Sequence, residues 1–232
     1  MGRFDFVFAD PPFNIGHHYK GYADDRADYA QWTQKWIEVC WDACDGVMAL
    51  HGNDDLADAY LTAARLLGMR RIAWVNWHYR FGQCQRRTWI DARCHCLVFA
   101  KHDAWTWNPE DVLVASDRAK TGDKRIHDTK NGGKRPPSTI WGIPSDGKYW
   151  CRIQGNNKER RKGHPNQLPE VYLARLIRAY TNPGDRILDP FCGSGTTAVV
   201  AKALGRPCVT VEVSEENALS ALERVDKGAV RI

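Results

Sequence analysis

Two short stretches of this chain carry residue types suited to holding a nucleotide and a planar base. In Asp185-Arg-Ile-Leu-Asp-Pro-Phe-Cys-Gly-Ser-Gly-Thr-Thr197 a brief apolar run enters a Gly-rich turn and then a helix start. Glycines let a backbone approach a ligand closely, and the helix that follows offers free N–H groups. The turn has neither the Gly-Lys-Ser/Thr ending of a phosphate loop nor the GxGxxG spacing of a dinucleotide site. About 20 residues further on, Val209–Val213 delivers Glu212, an acid placed to accept both hydroxyls of a ribose. The second stretch is Asp10-Pro-Pro-Phe13, directly after an apolar run. Two prolines stiffen a turn. Such a turn sets a carboxylate, a carbonyl and an aromatic face around one planar group, which is what holding an extruded base requires.

Both stretches need strands behind them. Phe4–Phe8 reads as a buried strand ending at the proline turn. A helix follows over 28–44, with Asp28 and Gln31 in capping-box positions and Trp32, Trp36, Ile37, Cys40, Trp41 and Cys44 along one stripe. A strand over 46–51 and a helix over 54–67, ended by Gly68, come next. His51 and Asn53 close that strand beside the target pocket and are further candidates. Strands are predicted at 71–77 and 93–101, a helix at 169–180, a strand at 186–188, a helix at 195–204, a strand at 208–211 and a helix at 214–225. Strands alternating with helices predict a mostly parallel α/β sheet with helices on both faces, the Rossmann-like arrangement, in one domain spanning 1–232. In such sheets ligands bind outside the carboxyl ends of the strands, so the two stretches converge.

Residues 102–160 show no sustained period and read as an irregular insertion. Charge concentrates there. Over 116–163 there are 13 Lys and Arg against 5 Asp and Glu, a surplus of 8 in a chain whose net charge is +5. A basic segment on a mildly acidic body points to a polyanion. Arg125, Lys134, Arg135, Arg160, Arg161 and Lys162 are candidate phosphate contacts. Trp141 and Trp150, interleaved with Lys148 and Arg152, are candidate base contacts.

The 232 residues, 43% hydrophobic and 26% charged, exclude a disordered chain, and no run is long enough for a membrane span. The start MGRFDFVFADPP has no leader pattern, which predicts a cytoplasmic protein. The eight Cys (40, 44, 84, 94, 96, 151, 192, 208) have no CxxC spacing and read as thiols. His78, Cys84, Cys94 and Cys96 lack the second close pair of a zinc site, so no metal is expected. None of the Cys follows a Pro, which argues against covalent attack on cytosine C5.

Taken together, Asp10-Pro-Pro-Phe13, His164-Pro-Asn-Gln-Leu-Pro169, Asp189–Thr197 and Glu212 resemble the amino-methylating DNA methyltransferases that use S-adenosylmethionine (SAM), the N6-adenine/N4-cytosine group. The catalytic motif precedes the SAM motif, which looks like the permuted β arrangement. The resemblance implies that Asp10 and the Pro11 carbonyl bind the target amino group, with Pro12 stiffening the turn. Phe13, where relatives usually have Tyr, stacks on the flipped base. Asp189, Phe191, Cys192, Gly193, Gly195 and Thr196 surround the cofactor's methionine portion, Glu212 its ribose, and His164, Asn166 and Gln167 the other side of the pocket. It further implies double-stranded DNA as substrate, adenine N6 preferred, the 102–160 insertion as target-recognition region, and a restriction endonuclease of the same specificity as functional counterpart. N4-cytosine methylation, an RNA substrate and an inactive DNA-binding module are the competing readings; intact Asp10 and an intact Gly turn argue against the last.

Overall fold

A computed structural model of the chain describes residues 3–19, 22–84, 86–126 and 130–232. In chain order the elements are β1 (Phe4–Ala9), β2 (His17–Tyr19), β3 (Tyr22–Asp24), α1 (Tyr29–Ala43), β4 (Cys44–Gly52), α2 (Asp54–Leu66), β5 (Arg70–Gln83) and β6 (Asp91–Ala100). Then come β7 (Val114–Ala115), β8 (Lys134–Arg135), β9 (Ile140–Trp141), α3 (Glu170–Tyr180), β10 (Ile187–Asp189), α4 (Thr196–Ala203), β11 (Cys208–Thr210) and α5 (Glu215–Lys227).

Seven strands form one sheet in the order β11-β10-β1-β4-β6-β5-β9. β1 is parallel to β10 and β4, β10 to β11, and β5 to β9, while β6 is antiparallel to both β4 and β5. Six strands therefore run one way and β6 alone runs the other. The carboxyl ends of β1, β4, β10 and β11 share one edge, and every candidate from the two motif stretches lies on it.

Each face of the sheet is covered. Val7, Met48, Leu50, Leu97 and Phe99 alternate out of the strands on one side and pack under Ile37 and Trp41 of α1 and Leu56 and Tyr60 of α2. On the other side Phe6, Phe8, Val47, Ala49 and Val98 meet Tyr172, Leu173, Leu176 and Ile177 of α3 and Val199 and Val200 of α4. α5 lies outside α4. The layered α/β expectation holds, and each predicted helix and strand is present, with all but one within a few residues of its expected bounds.

Two local expectations need correction. Asp28 makes no side-chain cap to α1, because its carboxylate is taken by Arg26 at 3.0 Å; Asn53 and Ser214 do cap α2 and α5. β5 runs on to Gln83 and β6 starts at Asp91, so the two make a hairpin longer than predicted. The irregular insertion also contributes a strand that the sequence did not predict: its β9 extends the sheet beside β5.

Candidate active site

The proline turn is braced from both sides. The Tyr29 hydroxyl donates to the Pro12 carbonyl. Beyond Phe13, Asn14 takes the left-handed conformation (φ 55°). Its amide oxygen accepts from Arg26 N at 2.7 Å, and its own backbone N–H donates to the buried Asp24 at 2.7 Å. The Pro11 carbonyl has no donor among the described residues. Neither has the Asp10 carboxyl group, which burial and the like charge of Asp189 push well above the usual carboxylate range. An acceptor pair on a rigid turn is thus left for something other than protein. Phe13 is half-buried, its ring 6.2 Å from that of His51. His51 is held by a 2.9 Å hydrogen bond between Nδ1 and the Tyr172 hydroxyl, and burial lowers its pKa to about 3, so it is neutral.

The Gly turn is organised by its own backbone. The Gly193 N–H donates to Glu212 Oε2 at 2.8 Å, and the Ser214 N–H donates to Oε1 at 3.0 Å. The carboxylate is thereby clamped at the end of β11 with lone pairs to spare. Asp189 is buried and accepts from the Phe191 N–H at 2.9 Å and from the Thr197 side chain; burial raises its pKa to about 6. Gly195, at φ +74°, starts α4 where a Cβ would come within 2.8 Å of Ala221, so the tight turn requires glycine there. Phe191 stands edge-on to Trp36 (5.1 Å between centroids) and Trp32 (5.8 Å), which joins the turn to α1.

Not every candidate faces the same way. The Thr196 hydroxyl turns inward, accepting from Arg224 at 2.8 Å within a buried network that includes Ser194 and Glu170, so only its backbone borders the turn. Cys192 is buried and its thiol is raised to about 11, which leaves it inert. His164 lies half-buried near Glu212, its pKa lowered by burial. Asn166 is exposed and accepts from Arg152 at 2.9 Å. Gln167 departs from expectation. Its oxygen accepts from Arg161 N at 2.9 Å and its nitrogen donates to the Glu159 carbonyl at 2.7 Å, so it ties the 159–167 loop together and does not face the pocket.

The two tryptophans of the insertion are also corrected. Trp141 and Trp150 are 6% and 5% exposed and belong to the core, packed edge-on against each other and against Tyr172. The Arg175 guanidinium of α3 covers both, 3.9 Å from the Trp150 ring, and pairs with Asp146 at 3.0 Å. They anchor the insertion and present no face to a base. The basic candidates divide. Lys134, Arg160 and Lys162 are exposed with no acidic partner among the described residues. Arg125 is bonded to Asp123 at 2.7 Å and Arg135 to Asp117 at 2.9 Å. Arg161 is half-buried. Tyr29, Tyr172 and Arg175 carry the site indirectly and were missed, because nothing in their local sequence marks them.

A cationic, nucleoside-bearing cofactor fits what is present. The half-buried Asp10 and the buried Asp189 carboxyl groups repel each other, and neither forms an ion pair with a Lys, Arg or His among the described residues. Beside them lie the first-turn N–H groups of α4 and the clamped Glu212.

Comparison with known proteins agrees. The family profile described as DNA methylase, of the N6/N4 type, matches residues 4–223. The type II methyltransferase M.HpaI of Haemophilus parainfluenzae is 30% identical over 228 residues, 96% of this chain and 68% of that protein. The DNA adenine methyltransferase YhdJ of Escherichia coli K12 is 28% identical over 236 residues, 96% of this chain and 76% of that protein. Two solved structures share the fold. The PvuII cytosine-N4-specific DNA methyltransferase has a TM-score of 0.70 at 15% identity, covering 95% of this chain and 78% of that one. The M1.HpyAVI–SAM complex has a TM-score of 0.61 at 20% identity, covering 96% and 90%. With its proline turn, Gly turn and clamped acid on one sheet edge, and a profile match over nearly its full length, this chain belongs to the N6/N4 DNA methylase family.

Proposed function

We propose that the chain transfers a methyl group from SAM to the exocyclic amino nitrogen of a base extruded from double-stranded DNA, adenine N6 in preference to cytosine N4. The observation that carries this is the unpartnered acceptor pair, Asp10 and the Pro11 carbonyl, on a braced turn beside the Gly turn and Glu212. SAM, when bound, supplies a sulfonium methyl already activated for transfer.

The residues supply position. An exocyclic amino nitrogen is a poor nucleophile because its lone pair is delocalised into the ring. Two acceptors on its N–H groups favour a pyramidal nitrogen with the lone pair aimed outward, and orientation does most of the work. Asp10 is the first acceptor and the Pro11 carbonyl the second, with the Pro12 carbonyl held out of competition by Tyr29. Phe13 gives the base a stacking face. Glu212 takes the ribose hydroxyls with the lone pairs its backbone clamps leave free, while Asp189, Phe191, Gly193 and the backbone of Gly195 and Thr196 line the methionine portion. His164 and Asn166 border the other side. Lys134, Arg160 and Lys162 meet phosphates.

The adenine preference is supported by the Asp-led proline turn and by the similarity to an adenine methyltransferase. Type II methyltransferases among the relatives support a role in marking sites against a restriction endonuclease of the same specificity. No described helix is long and apolar enough to cross a membrane. Incubation with methyl-labelled SAM and unmethylated DNA, followed by nucleoside chromatography, tests the reading. Label in N6-methyldeoxyadenosine is expected. Label in N4-methyldeoxycytidine would overturn the base assignment, and absence of label the activity.

A further inference from the structure

The β5–β6 hairpin places a bare aromatic tip above the catalytic edge. β5 runs in the same direction as β1 and β4, so its far end emerges where Asp10 and His51 lie. On β6, Cys96 pairs with His51, and Asp91 lies five residues further along. At about 3.3 Å per residue, the tip stands about 16 Å beyond the catalytic turn.

The stem is fixed. Arg80 donates to the carbonyls of Gly142, Ile143 and Gly147 at 2.8–2.9 Å, tying it to the insertion. The Arg152 guanidinium lies 5.2 Å from the Tyr79 ring centroid, and the Tyr79 hydroxyl donates across the hairpin to the Asp91 carbonyl at 3.3 Å. Gly82 lets the two strands close, since a Cβ there would meet the Asp91 carbonyl. The tip is the opposite. Trp89 is 89% exposed, with Phe81 and Ile90 also exposed. Arg86 and Arg87 are exposed and have no acidic partner among the described residues.

A rigid stem ending in an exposed indole and two unpaired guanidinium groups, above a pocket that takes an extruded base, has an obvious physical use. Extrusion leaves a gap in the stack, and an inserted ring restores stacking there. We propose that Trp89 enters the DNA stack at the position the target base leaves, with Arg86 and Arg87 on the flanking phosphates. This rests on the amino-methyltransferase reading above. Trp89 takes no part in the chemistry; it stabilises the opened duplex.

Two measurements on the full chain test it. In the first, methyl transfer from labelled SAM is followed on unmethylated plasmid DNA, native and heat-denatured. Trp89→Ala is expected to lower transfer to native DNA tenfold or more while transfer to denatured DNA changes less than twofold, with Trp89→Phe restoring most of the loss. Equal loss on both forms, or none on native DNA, would overturn the proposal. In the second, iodide quenching of tryptophan fluorescence is read with and without native plasmid. DNA should protect a fraction of the wild-type signal, and that protection should vanish in Trp89→Phe. Equal protection in both proteins would overturn the proposal. Quenching needs no turnover, so it decides about Trp89 even if methyl transfer itself were not observed.

Discussion

The half of the edge proposed to hold the cofactor and the half proposed to face DNA are built by different means. Around Glu212 and Gly193 the geometry is written by backbone: N–H groups clamp a carboxylate, and Gly195 closes on α5. The 102–163 stretch is short 3₁₀ turns and two-residue strands, fastened by side chains at a few points: Trp141 and Trp150 under Arg175, and Arg80 on the 142–147 carbonyls. A small molecule of constant shape asks for one fixed backbone. A duplex asks for a charged surface whose details are free to vary on a few anchors. If that contrast is correct, single substitutions in the first half should act on the cofactor or on chemistry, and in the second on stability or DNA affinity.

The largest effect is expected at the hinge between the halves. Asp10→Ala should lower methyl transfer on the order of 10³-fold, because it removes a preorganised acceptor at the reacting nitrogen. SAM affinity by isothermal titration should stay within a few-fold. Retained turnover would show that the Pro11 carbonyl suffices.

Next in size is Trp150→Ala. Deleting a buried indole costs about 3–5 kcal/mol, and here it also uncovers Arg175, one of whose guanidinium nitrogens already has no hydrogen bond. A fall in Tm of many degrees is expected by calorimetry, with the salt dependence of DNA binding in whatever protein remains folded unchanged. Weakened DNA binding at an unchanged Tm and an unchanged salt slope would return the ring to the DNA surface.

This pair of results bears on how much was readable in the chain. The Gly turn, its acid and the proline turn were legible because their chemistry is local: left-handed glycine, stiff proline and a strand-end carboxylate lie close together in sequence. Trp141 and Trp150 were not, because an indole among Lys and Arg fits stacking on a base as well as stacking on an arginine of its own protein. Only the approach of α3 decides. Gln167 sits in a motif yet spends its amide on Arg161 and Glu159, a choice made by the loop's fold. The length of the β5–β6 hairpin was hidden because Arg80, at φ 70°, and the register shift after His78 break the alternation that marks a strand.

Smaller still, Glu212→Ala should weaken SAM binding by about a hundredfold or more, since two charge-assisted hydrogen bonds of about 1.5–3 kcal/mol each are at stake and tenfold is about 1.4 kcal/mol. The freed Gly193 and Ser214 N–H groups should add little, being near solvent. Proton linkage sharpens the point through Asp189. Its folded pKa of about 6 lies above the ordinary 3.8 of a free aspartate, so its contribution to stability is full below pH 4 and is lost as the pH rises through 6. The difference is about 3 kcal/mol at most. His51, lowered to about 3, acts oppositely, losing stability as the pH falls below 6.5. Melting curves from pH 4 to 8 for wild type and Asp189→Asn isolate the first effect: the stability difference between the two proteins should change across this window. A constant difference would mean that Asp189 is ionised across this window in the folded protein as it is in the unfolded chain, and that its pKa is not raised.

The smallest effects separate basic residues within the DNA-facing half. Lys134, Arg160 and Lys162 are exposed and lack acidic partners among the described residues, so each phosphate contact they make releases a counterion. Replacing each by Ala should flatten the slope of log affinity against log salt by about 0.9 on duplex DNA and weaken binding across all sequences. Arg125 and Arg135 carry the same charge but are held by Asp123 and Asp117. A guanidinium already paired neutralises less phosphate charge and so releases fewer of the DNA's condensed counterions, and its removal frees a carboxylate that repels phosphate. Arg125→Ala and Arg135→Ala should therefore change the slope by clearly less than 0.9 while still weakening binding. Fluorescence-anisotropy titrations at several salt concentrations read both quantities. Equal slopes for the paired and unpaired sets would mean that DNA breaks the ion pairs, and that the insertion rearranges when it meets the duplex.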